Sequence, residues 1–243
     1  MDERKQVSEL AIKNFSVDEP SPFDNSWYDI TQKRTHQRLR EWLKNKIKAK
    51  TLILNAGSGG ADYGIKDGVM IHLDIVEGLV NVHEKYLVAS IDCIPCDDNL
   101  FDIVICVGSV LNYADVFMSI KELSRVLKPS GVLILEFERS NSAEFLFTKN
   151  QNKNVVFCDS KYGEQYHKFW IYDEKFVCNI LENYDMKIKK KYRFHVVSAL
   201  VFRITKSEKM AAAFAFLDHC CSFFSYRLAH NVMFYLTKNA ITI

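Results

Sequence analysis

Two rhythms of hydrophobic and polar positions run along the chain. In Trp27–Lys48, Leu39, Trp42, Leu43 and Ile47 stand at i, i+3, i+4 and i+8 among basic residues, one stripe of an amphipathic helix. Beyond it the apolar residues come in short unbroken runs: Thr51–Asn55, Val69–Asp74, Tyr86–Asp92, Asp102–Val107 and Val132–Phe137. Strands of a parallel sheet are buried on both faces and so lose the alternation of a half-exposed strand, as these runs do. Asp115–Leu127 is amphipathic at helical spacing and is closed by Lys128-Pro129-Ser130-Gly131. Strand and helix therefore alternate, which predicts an α/β fold with a doubly wound, mostly parallel sheet.

The second half is less regular. Residues 141–170 mix polar and aromatic positions, Asp173–Tyr184 predicts a helix with Asp173 as its N-cap, and Met186–Val197 and Val232–Thr237 predict two more strands, making seven. Between those strands, about residues 198–228 form a stretch rich in Ala, Phe and Cys that predicts one or two helices. A connection of that length carries its own structure, here expected as a helical cap or lid faced by Val201, Phe202, Phe214, Phe216, Leu217, Phe223 and Phe224. Residues 1–26 are polar, contain Pro20 and Pro22, and are expected to be a flexible N-terminal arm. Residues 27–243 then form a single domain with cap segments near 141–172 and 198–228.

Composition narrows the class. The 243 residues are 48% hydrophobic and 26% charged, enough for one large α/β domain, and a net charge of +2 points to no nucleic-acid or membrane-surface partner. Seven cysteines without regular spacing argue against a secreted disulfide framework. The charged N-terminus lacks an apolar leader, and the run Met210–Phe216 is too short to span a bilayer, so a cytoplasmic location is the default expectation.

The chemistry concentrates where strands end. The first strand runs into Asn55-Ala56-Gly57-Ser58-Gly59-Gly60, and a helix is expected to follow. Glycines there let the chain turn sharply and let a ligand approach the main chain. Asp74 ends the second strand and Asp92 the third. Carboxylates at those ends suit a nucleoside: one accepts hydrogen bonds from ribose hydroxyls and one meets the adenine edge. A dinucleotide fits worse, because the position for a further glycine is Asp62, whose charge opposes a pyrophosphate.

With LILNAGSGG, HLDI, DCIPCDDNLFDIVICVGSVLNY and ELSRVLKPSGVLIL in place, the chain resembles class I S-adenosylmethionine-dependent methyltransferases, notably their ubiquinone/menaquinone-biosynthesis-like branch. The resemblance covers residues 27–138 well and implies a Rossmann-like fold with S-adenosyl-L-methionine as cofactor and S-adenosyl-L-homocysteine as product. It implies cofactor contacts from Asn55, Ala56, Gly57, Ser58 and Gly59 beneath the methionine part, and from Asp74 and Ile75 at ribose and adenine. Asp92 and Cys93 are implied at the adenine edge. Gly108, Ser109 and Asn112 are implied near the sulfonium, and Tyr28 over the methionine. Asn55 departs from the family's usual acidic residue and Ala61 from its usual third glycine.

The implied reaction is methyl transfer to a small-molecule acceptor, with a hydroxyl oxygen as the expected nucleophile. An oxygen nucleophile gains from a general base; His167, in Tyr166-His167-Lys168-Phe169-Trp170, His195 and Tyr113 are the candidates. Cys93-Ile94-Pro95-Cys96 lacks a second ligand pair and is read as turn packing, so no metal site is expected. The competing reading is a non-catalytic cofactor-binding partner or regulatory subunit, which Asn55 and Ala61 favour. An aminopropyl transferase finds no matching acidic pattern.

Overall fold

The computed structural model describes residues 3–16, 26–162, 165–219 and 225–240. Seven strands form one sheet: β1 Leu52–Ala56, β2 Val69–Asp74, β3 Tyr86–Val88, β4 Phe101–Cys106, β5 Leu127–Glu138, β8 Met186–Phe194 and β9 Asn231–Lys238. Their order is β3-β2-β1-β4-β5-β9-β8. All pairings from β3 to β5 are parallel, and β9 runs antiparallel to both neighbours. The Rossmann-like, mostly parallel sheet is as the sequence predicts.

Successive side chains of the central strands point into two different layers. On β1 and β4, Ile53, Ile103 and Ile105 join Leu39 and Leu43 of α2 (Ser26–Leu43). Their neighbours Leu54, Val104 and Cys106 join Ile120 and Leu123 of α4 (Val116–Val126) and Val177 and Leu181 of α5 (Glu174–Asn183). Both faces are covered, which is why the strands read as unbroken apolar runs. Asp115 caps α4 by accepting from Met118 N–H, and Asp173 caps α5 by accepting from Lys175 and Phe176 N–H.

Several expectations are corrected. No helix follows β1: residues 57–68 form turns up to β2, and the short α3 (Glu77–Val80) comes only after β2. The Asp62 side chain accepts from Gly64 N–H, Tyr63 sits at φ +57°, and Gly64 and Gly68 also take positive φ. A local turn of this kind competes with helix, and Tyr63, Ala61 and Ile65 fill the layer instead. The N-terminal arm is not loose throughout, since α1 (Glu3–Phe15) is a helix with Val7 and Ala11 buried. It lies against β7 (Gln165–Tyr172), where the Asn14 amide donates to Tyr166 O. β7 pairs with β6 (Val155–Tyr162) as an antiparallel hairpin in the stretch read as irregular.

The expected helices near 198–228 are present as α6 (Val197–Thr205) and α7 (Glu208–Phe214), followed by 3-10 turns. Residues 220–224, with Phe223 and Phe224, lie outside the described residues. The junction is organised by Asp218, which accepts from the N–H groups of Val196, Val197 and Ser198 at the start of α6. Its other oxygen takes Arg34 of α2 at 2.8 Å, both groups being nearly buried. Against burial, which would raise it, hydrogen bonds from His195 and Arg34 hold the Asp218 carboxyl below the usual carboxylate range.

Asp218→Ala leaves the Arg34 charge buried and strips the α6 cap. Urea unfolding is expected to show a loss of roughly 3–5 kcal/mol; a loss under about 1 kcal/mol would mean the network does not tie α2 to α6.

Candidate functional site

One cavity of about 500 Å³ opens at the carboxyl ends of β1, β2 and β4, within the size range of small-molecule sites. Its floor is the turn after β1. Gly57 and Ser58 both donate their N–H to Leu73 O, at 2.7 and 3.0 Å, which draws the turn onto the end of β2. Gly57 has φ +71°, and a Cβ there would sit 2.3 Å from Val110 Cγ1. No other residue allows that approach. The chain then passes Asp74, whose Oδ2 accepts from Gly59 N–H at 2.9 Å and Oδ1 from Val76 N–H at 3.0 Å. A carboxylate has about four lone-pair positions, so Asp74 retains acceptors for a ligand. Burial raises its pKa, and hydrogen bonds from Gly59, Val76 and Ile75 N–H oppose that rise.

The walls differ in character. Ile75, Val76, Leu79, Ala89 and Ile91 make an apolar slot beside Asp74. Across the floor, α2 presents Tyr28, Gln32 and His36, four residues apart and thus one above another on a helix face. A third wall joins Ala11 and Phe15 of α1 to Val110, Tyr113 and Ala114 after β4, with Phe15 and Tyr113 edge to face at 5.9 Å. Among the described residues that line it, Asp74 is the one carboxylate, and none is Lys or Arg.

Residues 61–135, from the turn through β5, match the family model described as "Methyltransferase domain". That stretch of the chain is similar to a methyltransferase domain. An uncharacterized protein of Methanocaldococcus jannaschii, MJ0638, is 37% identical over 97 residues, covering 38% of this chain and 43% of that protein. The ubiquinone/menaquinone biosynthesis C-methyltransferase UbiE of Idiomarina loihiensis is 40% identical over 60 residues, 24% of each. The chain thus spans less than half the length of these curated relatives. Two solved structures align more widely at low identity. An S-adenosylmethionine-dependent methyltransferase from Clostridium acetobutylicum shares 13% identity at a TM-score of 0.54, covering 88% of this chain and 92% of that one. The 1,6-didemethyltoxoflavin-N1-methyltransferase of Burkholderia thailandensis, with 1,6-didemethyltoxoflavin and S-adenosylhomocysteine bound, shares 11% at a TM-score of 0.53, covering 86% and 78%. The fold is that of the class I S-adenosylmethionine-dependent methyltransferases, and S-adenosylmethionine is their cofactor.

Of the residues nominated from the methyltransferase resemblance, Tyr28, Gly57, Ser58, Gly59, Asp74, Ile75, Gly108 and Tyr113 line the cavity. Others do not. Asn55 is fully buried behind the turn, where its amide donates to Ala61 O at 2.7 Å and its Oδ1 accepts from Tyr63 OH at 3.1 Å. It closes the turn onto β1, and Ala56 beside it is equally buried. Asp92 and Cys93 fall short because β3 ends at Val88, so the chain has turned away before reaching them; Ala89, Ser90 and Ile91 take that wall. Ser109 turns aside at φ +59°, its N–H donating to Glu136 and its hydroxyl to Glu138. Asn112 is buried as a tie between β5 and β7, donating to Trp170 O and accepting from Glu138 N–H.

The catalytic candidates separate likewise. His167 is buried on β7 behind Phe15 and lines no part of the cavity; burial lowers its pKa. His195 is enclosed elsewhere, accepting from the Trp27 indole N–H at 3.1 Å with Nε2 2.8 Å from Thr31 Oγ1. Burial first, and then the Arg34 charge, bring its pKa down to about 4, so it is a neutral packing group. Tyr113 alone faces the cavity, and burial, followed by the Glu138 charge, pushes its hydroxyl pKa up. Nor does the expected lid cover the site. Val201, Phe202, Phe214, Phe216 and Leu217 are absent from the lining, where α1 stands in their stead. Gln32 and His36 were missed by sequence reasoning; their four-residue spacing from Tyr28 was the available signal. Cys93 and Cys96 are free thiols, and Arg125 donates to the carbonyls of Ile94 and Cys96 to hold their turn.

Behind Ser109 lies a buried polar cluster. His230 stands 3.4 Å from Glu138 and 3.3 Å from Glu144. Burial alone would lower its pKa, but the Glu138 hydrogen bond and the charges of Glu138, Glu144 and Glu136 raise it to about 9. The fold then holds this proton more tightly than the unfolded chain does, so the associated stability is complete below pH ~6.5 and is lost as pH rises through ~9.

Thermal unfolding across pH 6.5–9.5 is expected to weaken with pH, by on the order of 3 kcal/mol at most, and His230→Gln to flatten that slope; an unchanged slope in the variant would assign it elsewhere. At the turn, Gly57→Ala meets both positive φ and Val110, whereas a Cβ at Gly59 meets no atom within 4 Å. Gly57→Ala is expected to lower stability by at least ~1 kcal/mol more than Gly59→Ala, and equal losses in urea melts would contradict that packing.

Proposed function

We propose that this chain binds S-adenosylmethionine in the cavity and transfers its methyl group to a small-molecule acceptor. The observation that carries the reading is the Gly57–Gly59 turn drawn under the cavity with the Asp74 carboxylate at its rim. The bare main chain at Gly57 leaves room that any side chain would fill. Asp74 would accept from the ribose hydroxyls, with adenine in the slot of Ile75, Val76, Leu79 and Ile91. Tyr28 would cover the methionine part. When bound, the cofactor supplies an electrophilic methyl group on a sulfonium. The protein's part is then to align acceptor and methyl and to keep water out, for which α1, Tyr113 and Val110 supply an enclosing, largely apolar wall.

The same wall speaks to the acceptor. Its ionisable side chain is the Tyr113 hydroxyl, which stays protonated near neutrality, and neither His167 nor His195 reaches it. Along this wall an acceptor hydroxyl meets no general base, which favours one with its own acidity, such as a phenol or enol. Among the described lining residues none is Lys or Arg, which favours acceptors without phosphate or carboxylate groups. The short match to UbiE lies in line with a ring-bearing acceptor of the quinone-precursor kind. Asn55 and Ala61, the features that favoured a non-catalytic partner, serve the turn's own hydrogen bonds, so they do not speak against cofactor binding.

Calorimetric titration is expected to give one-to-one binding of S-adenosylmethionine and S-adenosylhomocysteine, and Asp74→Ala to weaken it by roughly 1–3 kcal/mol. No binding by folded protein would reject the reading, and an undiminished Asp74→Ala affinity would reject the ribose assignment.

A further inference from the structure

Large apolar side chains stand in solvent along one run of packed elements. Phe147 is 90% exposed, Ile204 74% and Phe216 63%, with Leu200, Met210 and Phe214 exposed as well. Their elements touch one another: α6 meets α7, the turn Ala143–Phe145 and the 3-10 turn Ala215–His219. Leu200 and Ile204 are four residues apart on α6, as are Met210 and Phe214 on α7, so each helix turns an apolar stripe outward while Ala199 and Ala211 face inward. Phe147 is held out by built structure. It sits at φ +59°, a conformation uncommon for a bulky residue, its N–H donates to Gln151 Oε1 at 2.9 Å, and Thr148 N–H donates to Phe145 O. Single exposed apolar residues are ordinary, whereas a gathered group of this size marks an interaction surface.

The charges among these residues are sorted by sign. Lys149, Lys206 and Lys209 are exposed, and Arg203 is half-exposed beside Ala143 O. The acids of the same elements are turned inward: Glu144 lies 3.3 Å from His230, Asp218 holds Arg34, and Glu208 is half-buried. Met210–Leu217 contains no charged residue at all. We propose that this face docks on an anionic lipid bilayer. Apolar groups protruding from a turn tip, two helices and a 3-10 turn need no matching shape in order to enter the boundary between headgroups and acyl chains. Lysines beside them meet the negative surface potential of such a membrane. Their aliphatic stems can lie along apolar surface while the ammonium reaches outward, and Lys206 Nζ stands 5.9 Å from the centre of the Phe202 ring. Among the described residues no helix is long and apolar enough to cross a membrane, so the attachment is to its surface. The net charge of +2 gave no sign of this face because it averages over the whole chain. Phe202 of α6 also stacks on Trp27 at 5.1 Å, next in sequence to Tyr28 of the cavity lining, so docking brings one border of the cavity near the lipid.

Vesicle cosedimentation of the full chain tests this without reference to cofactor or acceptor. The vesicles contain about 30% phosphatidylglycerol in phosphatidylcholine, or phosphatidylcholine alone. The wild-type chain is expected to sediment with the anionic vesicles, to bind the neutral ones at least about fivefold less, and to bind more weakly at roughly 0.5 M salt. The double variant Lys206→Glu/Lys209→Glu is expected to lose about tenfold or more in affinity, and Phe147→Ser/Ile204→Ser a similar factor. All four side chains point into solvent, so both variants are expected to melt as the wild type does, which separates lost docking from lost fold. A wild-type chain that stays in the supernatant would overturn the proposal, as would undiminished binding by either double variant. Dimerisation without vesicle binding, seen by analytical ultracentrifugation and removed by Phe147→Ser/Ile204→Ser, would give the face to a second copy and overturn it too.

Discussion

Two main-chain N–H groups converge on one buried carboxylate, and the shape of the site follows from them. Gly59 and Val76 donate to opposite oxygens of Asp74, so the turn after β1 and the turn after β2 are fixed to a single side chain. The Leu73 carbonyl draws Gly57 and Ser58 to the same strand end. Once these bonds are made, the turn has one course, under the cavity, and the Gly57 main chain lies against Val110 with no space between for a side chain. Asn55 and Tyr63 then close the turn from behind, doing from the core what a helix would otherwise do from the end of the turn.

The polar groups of the interior divide by task. Asp218, Arg34 and the start of α6 bind elements together, and Glu136 takes the N–H groups of Gly108 and Ser109 to shape the chain after β4. His230 neutralises part of the acidic charge gathered beside that bend. Among the described residues, the cavity lining carries a single carboxylate, Asp74, and no Lys or Arg. A neutral, enclosing wall suits methyl transfer from a cation, because water and stray nucleophiles are excluded and the sulfonium carries its own driving force.

What the sequence made legible follows from what imposes a pattern. The central strands were visible because both faces are buried, and Asp74 was visible because it stands where a strand meets a cavity. A helix was expected after the Asn55–Gly60 turn because nothing in the composition beyond it announces the Asp62–Gly64 bond that forestalls one. Asp92 was misplaced since β3 stops at Val88, a length that the apolar run Tyr86–Asp92 conceals. His36 escaped notice because hydrophobic periodicity on α2 marks the face toward the core, Leu39 and Leu43, and says nothing of the stripe turned toward a ligand. The α1 helix was equally obscure: it buries little more than Val7 and Ala11, and its site lies on a hairpin over 140 residues away in the chain.

The two rims of the sheet deserve a final consequence. A strand at a rim exposes unpaired backbone groups that invite another molecule to add a strand. Here β3 spans only Tyr86–Val88, offering almost no template. At the other rim β8 is longer, Met186–Phe194, but it carries Lys187, Lys189, Lys190, Lys191 and Arg193. Glu174 takes Lys191 and Arg193, which leaves Lys187, Lys189 and Lys190 as the charges of that rim; brevity at one border and lysines at the other both work against adding a further strand.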